Sequence, residues 1–276
     1  MCNDYISIIT QYTHPLLTRQ NNYRSKTYPS KQKLCFSRTL DIITQMQSST
    51  SLSGQSLYSF VENKATLLSS LLYKKIKKSP IEHSHFSIIV GSSCSGKSLT
   101  LIKLYWSLNK KPPENKQVIF CQPMVDRRDV VKDYIRSRTK EGIPAISFSS
   151  KSQIEKIFHD YDVVIVDEIQ LTPHDLQSYF LKELHLFLDR GGFFVCAGLD
   201  YNSLGGEFIF PALLKTRAHK IHHLYSLCSM CGKPADRFDQ RLINGIPANV
   251  NMPDFVGPTD SITYEPRCSD CLIVKK

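Results

Sequence analysis

Residues 91–98 read GSSCSGKS. They follow a short apolar run, FSIIV (86–90), and precede Leu99–Leu108, whose apolar residues recur at helical spacing. A strand, a turn of the form G-x-x-x-x-G-K-[ST] and a helix in that order make a phosphate cradle. Gly91 and Gly96 let the backbone turn tightly. The N–H groups of Ser92, Ser93, Cys94, Ser95 and Gly96 then face phosphate oxygens at the positive end of the helix. Lys97 is placed to reach the β- and γ-phosphates of ATP, and Ser98 to hold Mg²⁺ through its hydroxyl.

Outward from this loop, strands and helices alternate. QVIFC (117–121), AISF (145–148), DVVIVDE (162–168) and FFVCAGL (193–199) read as strands. DVVKDYI (129–135) reads as a short helix or a loop, and SQIEKIF (152–158) as a helix. Thr172 is expected to cap a helix with Pro173 at its first position, running to Asp189 before Gly191-Gly192. The alternation predicts an α/β fold of the P-loop NTPase-like type, a mostly parallel sheet covered by helices on both faces. Asp167, at the end of a buried strand, is the expected magnesium partner, and Glu168 opens into the same crevice outside the strand ends. A carboxylate there can activate water, which makes an ATPase, or deprotonate an acceptor hydroxyl, which makes a kinase. Its structural alternative is a helix-start or salt-bridge role.

Nine cysteines are present, and Cys228, Cys231, Cys268 and Cys271 form two C-x-x-C pairs. Two such pairs close a tetrahedral thiolate shell with no open position, so the expected metal is a structural Zn²⁺. Buried free cysteines or disulfides are the alternatives. The histidines, including His222 and His223, show no ligand spacing and read as surface or ordinary polar residues.

The 276 residues carry 35 Lys and Arg against 25 Asp and Glu. This net charge of +10 invites a nucleic-acid reading, but its distribution argues otherwise. Residues 1–80 hold 11 basic and 3 acidic residues, leaving 24 and 22 for the rest. Residues 1–55, rich in Ser, Thr, Gln and Asn, read as a poorly ordered extension with an organelle-targeting alternative. Residues 56–76 fit an amphipathic helix that packs on the following domain or, through Lys74–Lys78, lies on a membrane surface. No apolar run is long enough for a spanning helix. Three regions are expected: a basic extension (1–80), a P-loop domain (81–223) and a zinc-binding lobe (224–276).

Taken together, residues 86–276 resemble the type II thymidine kinase family, a single P-loop domain with a lasso-like zinc lobe. The resemblance rests on GSSCSGKS, QPMVDRR (122–128), SRTKEG (137–142), DEIQ (167–170), AGLDYNSLGGEF (197–208), CSMCGKPADRFDQR (228–241) and VGPTDSITYEPRCSDC (256–271). It implies ATP-dependent phosphorylation of the 5′-hydroxyl of thymidine, and of deoxyuridine. Glu168 would be the general base, Lys97 and Arg128 would neutralise charge, and Asp126 belongs to the cofactor-side set. Gln170, Leu171 and Phe208 would approach the nucleoside, with backbone around Ile262 and Tyr264 holding the base edge. The resemblance also implies a homotetramer with feedback by dTTP; a cytoplasmic location, with organelle targeting through the extension as the alternative, and no nucleic-acid partner are expected. Two family aromatics are replaced here, by Leu171 and Ser203, and the usual Gly-Gly before the lobe's Tyr is Gly257-Pro258. These departures keep open an altered base preference or a non-catalytic nucleotide-binding protein. A P-loop ATPase or helicase-like motor is the other alternative, although motor motifs and a basic groove are not evident in residues 81–276.

Overall fold

Strands buried on both faces read as continuous apolar runs, because helices cover the sheet above and below. The computed structural model describes residues 8–9, 54–78, 84–113, 116–124, 134–136, 142–235, 238–249 and 261–273. Its main sheet is built on six parallel strands: β2 (His85–Gly91), β3 (Val118–Pro123), β6 (Ile146–Phe148), β7 (Val163–Val166), β8 (Phe193–Gly198) and β9 (Lys220–Leu227). Their spatial order is β9-β2-β8-β7-β3-β6. Two short strands, β1 (Ile8–Ile9) and β10 (Pro234–Ala235), pair antiparallel with β9. The mostly parallel α/β fold read from the sequence is therefore observed.

Alternate strand residues feed opposite faces, as a period of two requires. Ile88 and Val90 enter one core and Ile89 the other. The first core packs against α3 (Lys151–Asp160), α4 (His174–Asp189) and α5 (Ile209–Lys215). It is largely aromatic: Phe158 lies 5.0 Å from Phe180 and 5.2 Å from Phe187 between ring centroids. The second core packs against α1 (Gly54–Lys78) and α2 (Lys97–Lys110).

Helix α1 covers the span expected to be amphipathic and is longer at both ends. Leu68, Leu72 and Ile76 are buried in the same cluster as Leu101, Leu104 and Leu108 of α2. Lys103 reaches Glu62 at 3.2 Å, and the Tyr73 hydroxyl donates to Lys111 O at 3.0 Å. The end of the basic region is thus part of the enzyme-like core. The calls on residues 1–7 and 10–53 lie outside the described residues, and within the stretch read as a poorly ordered extension Ile8–Ile9 instead forms a strand paired with Tyr225 and Leu224.

Three local expectations are corrected. Thr172 does not cap α4. Its Oγ1 donates back to Ile169 O at 2.8 Å, closing a 3₁₀ turn over Ile169–Leu171, and Pro173 occupies the N-cap position without a side-chain cap. Tyr134–Arg136 (β4), expected as helix or loop, pairs antiparallel with Gly142–Pro144 (β5). The segment after 224, expected to be loop-rich, holds the end of β9 and an antiparallel sheet of β11 (Phe238–Ile243), β12 (Ile246–Pro247) and β13 (Ile262–Arg267).

Neighbouring leucines on α1 separate burial from propensity, since Leu72 is 4% exposed and Leu71 is 51% exposed. Leu72→Ala is expected to cost about 2–4 kcal/mol in denaturant unfolding. Leu71→Ala should stay within about 0.5 kcal/mol.

His222 sits inside the sheet, paired with Ile89, contrary to the surface-type reading of the histidines. Burial, with help from Lys220, His85 and His223, pushes its pKa down to about 4. Its native state therefore holds the ring neutral. The stability this contributes is complete above the ordinary histidine pKa of about 6.5 and is lost as pH falls from there toward 4. Thermal melts at pH 7 and 4.5 should show a loss attributable to His222 of about 2 kcal/mol, which His222→Gln largely removes.

Candidate functional site

The edge where β2, β7 and β8 end carries the candidate site. Gly91 closes β2 opposite Leu224 of β9, with φ of 148°, and a Cβ there would overlap the Leu224 carbonyl. Gly96, left-handed at φ of 86°, turns the chain into α2. The loop is tightly held from within. Lys97 Nζ donates to Gly91 O at 2.8 Å and to Ser92 O at 2.7 Å, with Ser95 Oγ at 3.4 Å. Ser92 Oγ meets Ser226 Oγ at 2.6 Å, tying the loop to β9. Cys94 takes a positive φ of 60°, which for a residue with a side chain marks a backbone shaped by its surroundings. Ser98 opens α2 and is half-buried.

Asp167 and Glu168 follow β7 directly. Asp167 is buried; its backbone N–H donates to Cys121 O at 3.0 Å, and its Oδ1 accepts from Glu168 N at 3.0 Å. Glu168 adopts φ 51°, ψ 41°, the left-handed region that a residue with a Cβ seldom occupies. Gln170 is in contact with it, its Nε2 donating to Glu168 Oε2 at 2.6 Å. Leu171 is buried.

Phe208 is half-buried at the N-cap of α5, its N–H donating to Asp200 O at 2.9 Å. Ile262 and Tyr264 lie on β13, with the Arg241 guanidinium 5.7 Å from the Tyr264 ring centre. A separate cleft is lined by Ser203, Leu204, Gln240, Arg241, Ala248, Asn249 and Ile273. Ser203 Oγ is buried there without a hydrogen-bond partner. Gln170, Leu171, Phe208, Ile262 and Tyr264 do not line that cleft. Asp126 and Arg128 lie outside the described residues.

Two carboxylates were not anticipated. Asp239 on β11 accepts the Ser93 N–H of the phosphate loop with both oxygens, each at 3.0 Å. Asp200, just beyond β8, has its pKa raised by burial, although its backbone N–H, Lys215, Lys97 and His223 oppose the shift. Both lie in stretches quoted for the resemblance, AGLDYNSLGGEF and CSMCGKPADRFDQR, without being read there as site residues. Only strand pairing brings them to the loop.

In the lobe, the sulfurs of Cys228, Cys231, Cys268 and Cys271 all lie within 4.8 Å of one another. A tetrahedron with Zn–S bonds of about 2.3 Å has edges of about 3.8 Å, and the Cys231–Cys268 sulfurs stand 3.5 Å apart. Both pairs form knuckles: Gly232 N donates to Cys228 O at 2.9 Å, and Leu272 N to Cys268 O at 3.0 Å. Four thiols this close do not ionise together. Against its burial, backbone hydrogen bonds bring Cys228 down to about 7, while hydrogen bonds with Cys231 and Cys268, with burial adding, push Cys271 up to about 12. A divalent soft-tolerant cation removes that penalty, so the donor set fits zinc.

A phosphate loop at the end of one parallel strand, adjacent acids just past the end of another two places across the sheet and a four-cysteine lobe define a P-loop nucleotide-binding protein with a candidate metal knuckle. The thymidine kinase family model matches residues 84–272. The chain belongs to the thymidine kinase family. Among solved structures, the Pif1 helicase of Candida albicans is similar at 17% identity and a TM-score of 0.35, covering 56% of this chain and 38% of that one. C. elegans PCH-2 is similar at 15% identity and a TM-score of 0.30, covering 66% and 44% respectively. The chain spans less than half the length of either. No helix among the described residues is long and apolar enough to cross a membrane.

Elemental analysis of purified protein should find one zinc per chain. Cys271→Ser should lower that occupancy at least several-fold and make the lobe the first region to lose amide protection in hydrogen exchange.

Proposed function

We propose that this protein transfers the γ-phosphoryl group of ATP to the 5′-hydroxyl of thymidine and deoxyuridine. Membership of the thymidine kinase family supports the reaction class. The observation that carries the reading is the Asp167–Glu168 pair, one acid buried and the next held in a left-handed turn at the same sheet edge as the phosphate loop.

Each residue has a task in this reading. Lys97 exchanges the loop carbonyls it now contacts for phosphate oxygens, opposing their charge. The loop N–H groups from Ser92 to Gly96 orient the same oxygens. Ser98 and Asp167 would hold Mg²⁺, which supplies neutralisation of the β- and γ-phosphates when bound. Glu168 accepts the proton of the 5′-hydroxyl as that oxygen attacks in line. Asp126 belongs to the cofactor side, and Arg128 opposes developing negative charge. Gln170, Leu171, Phe208 and the backbone near Ile262 and Tyr264 form the nucleoside side. The zinc is structural. The functional protein is a cytoplasmic homotetramer subject to feedback by dTTP, in the three regions 1–80, 81–223 and 224–276.

A second reading, altered base preference, is favoured by Ser203. Like Leu171, it stands where the resemblance expects an aromatic of the base wall. A transfer assay with radiolabelled ATP across a panel of deoxynucleosides decides between them. Thymidine should be phosphorylated, and Glu168→Gln should lower kcat by about 10²–10⁴-fold. Equal rates for the two proteins would remove Glu168 as base, and turnover of only deoxycytidine or a purine deoxynucleoside would select the second reading.

A further inference from the structure

We infer that Gln170 is a positioning residue for Glu168, acting on the carboxylate and not chiefly on the nucleoside. The inference rests on Glu168 being the proton acceptor.

Gln170 is 8% exposed, and both ends of its amide are engaged. Oε1 accepts the Leu199 N–H at 3.1 Å, just past the end of β8. That N–H can only donate, so the oxygen of the amide must face it. The NH₂ end is thereby forced toward Glu168 Oε2, at 2.6 Å. A flipped amide would set oxygen against carboxylate oxygen and nitrogen against an N–H, losing both bonds.

Space for this bridge comes from Gly198. A Cβ on Gly198 would overlap Gln170 Oε1 and come within 2.9 Å of Ile169 Cγ2. The backbone closes the unit as well. Leu171 N donates to Glu168 O at 2.9 Å, and Thr172 N to Ile169 O at 3.2 Å. Glu168 in its left-handed conformation is therefore held at its backbone by the 3₁₀ turn and at its side chain by an amide anchored on the neighbouring strand.

One consequence for chemistry follows. The carboxylate is oriented before substrate arrives, which reduces reorganisation in the proton transfer.

The test compares Gln170→Ala and Gly198→Ala with the unmodified protein. Gly198→Ala displaces the amide while leaving Gln170 itself in place, and thermal melts report whether each variant is folded. Both variants are expected to lower kcat by 10-fold or more while changing KM for the nucleoside less than 3-fold. A KM increase with kcat unchanged would overturn the inference in favour of a substrate contact, and unchanged kinetics would overturn it outright. A turnover-free readout separates this from failure of the kinase reading. In ¹⁵N-glutamine-labelled protein, with the Gln170 side-chain amide signals identified from their disappearance in Gln170→Ala, those signals should move in Glu168→Ala. Amide signals unmoved by Glu168→Ala would refute the positioning role whether or not thymidine proves to be the substrate.

Discussion

The pairing of β8 with β2 on one side and β7 on the other aligns three chain segments far apart in sequence at one sheet edge. β2 delivers the phosphate loop, β7 delivers Asp167 and Glu168, and β8 delivers the backbone N–H that anchors Gln170. Parallel strands share a direction, so their C-terminal ends lie together, and the crossovers between them occupy the faces. The site is consequently a product of register. A slip of one residue in β8 would turn its core residues to the opposite face and remove the Leu199 N–H from Gln170. The interdigitated aromatic and aliphatic cores on the two faces hold that register against such a slip.

Much of this was legible in the sequence, for a physical reason. Strands buried on both faces must be apolar throughout, and VVIV and FFVCA could be little else. The phosphate loop was legible because its glycines and lysine serve local geometry. Features that depend on distant pairing were not. Thr172 looked like a helix cap because it precedes Pro173, yet its hydroxyl is used by the turn behind it. The lobe strands were missed because β11 and β13 mix polar and apolar residues without a clear alternation. Asp200 and Asp239 lie in stretches that carry the resemblance, but nothing local marked them as neighbours of the phosphate loop. Gln170 was legible as a site residue through family resemblance, but its contact with Glu168 required the position of Leu199.

The basic surplus also changes meaning. Much of it lies in residues 1–80, and the last part of that region forms a helix whose inner face is buried with α2. The four basic residues among Lys74–Lys78 sit at the C-terminal end of α1, where cations oppose the partial negative charge of the helix terminus. Part of what first suggests an electrostatic partner therefore serves the helix that carries it. The zinc-type lobe, in turn, joins the main sheet through β10 on β9 and reaches the phosphate loop through Asp239.

That last contact spans 146 residues of sequence, from Ser93 to Asp239, and Asp239 sits on a strand whose partner, β13, runs directly into Cys268. During synthesis the six parallel strands are complete by Leu227, well before the second cysteine pair leaves the ribosome. The nascent chain can thus fold its sheet around an open loop, and the loop acquires its final tether only when the C-terminal forty or so residues have been made. Translation order separates the acquisition of fold from the completion of the phosphate site.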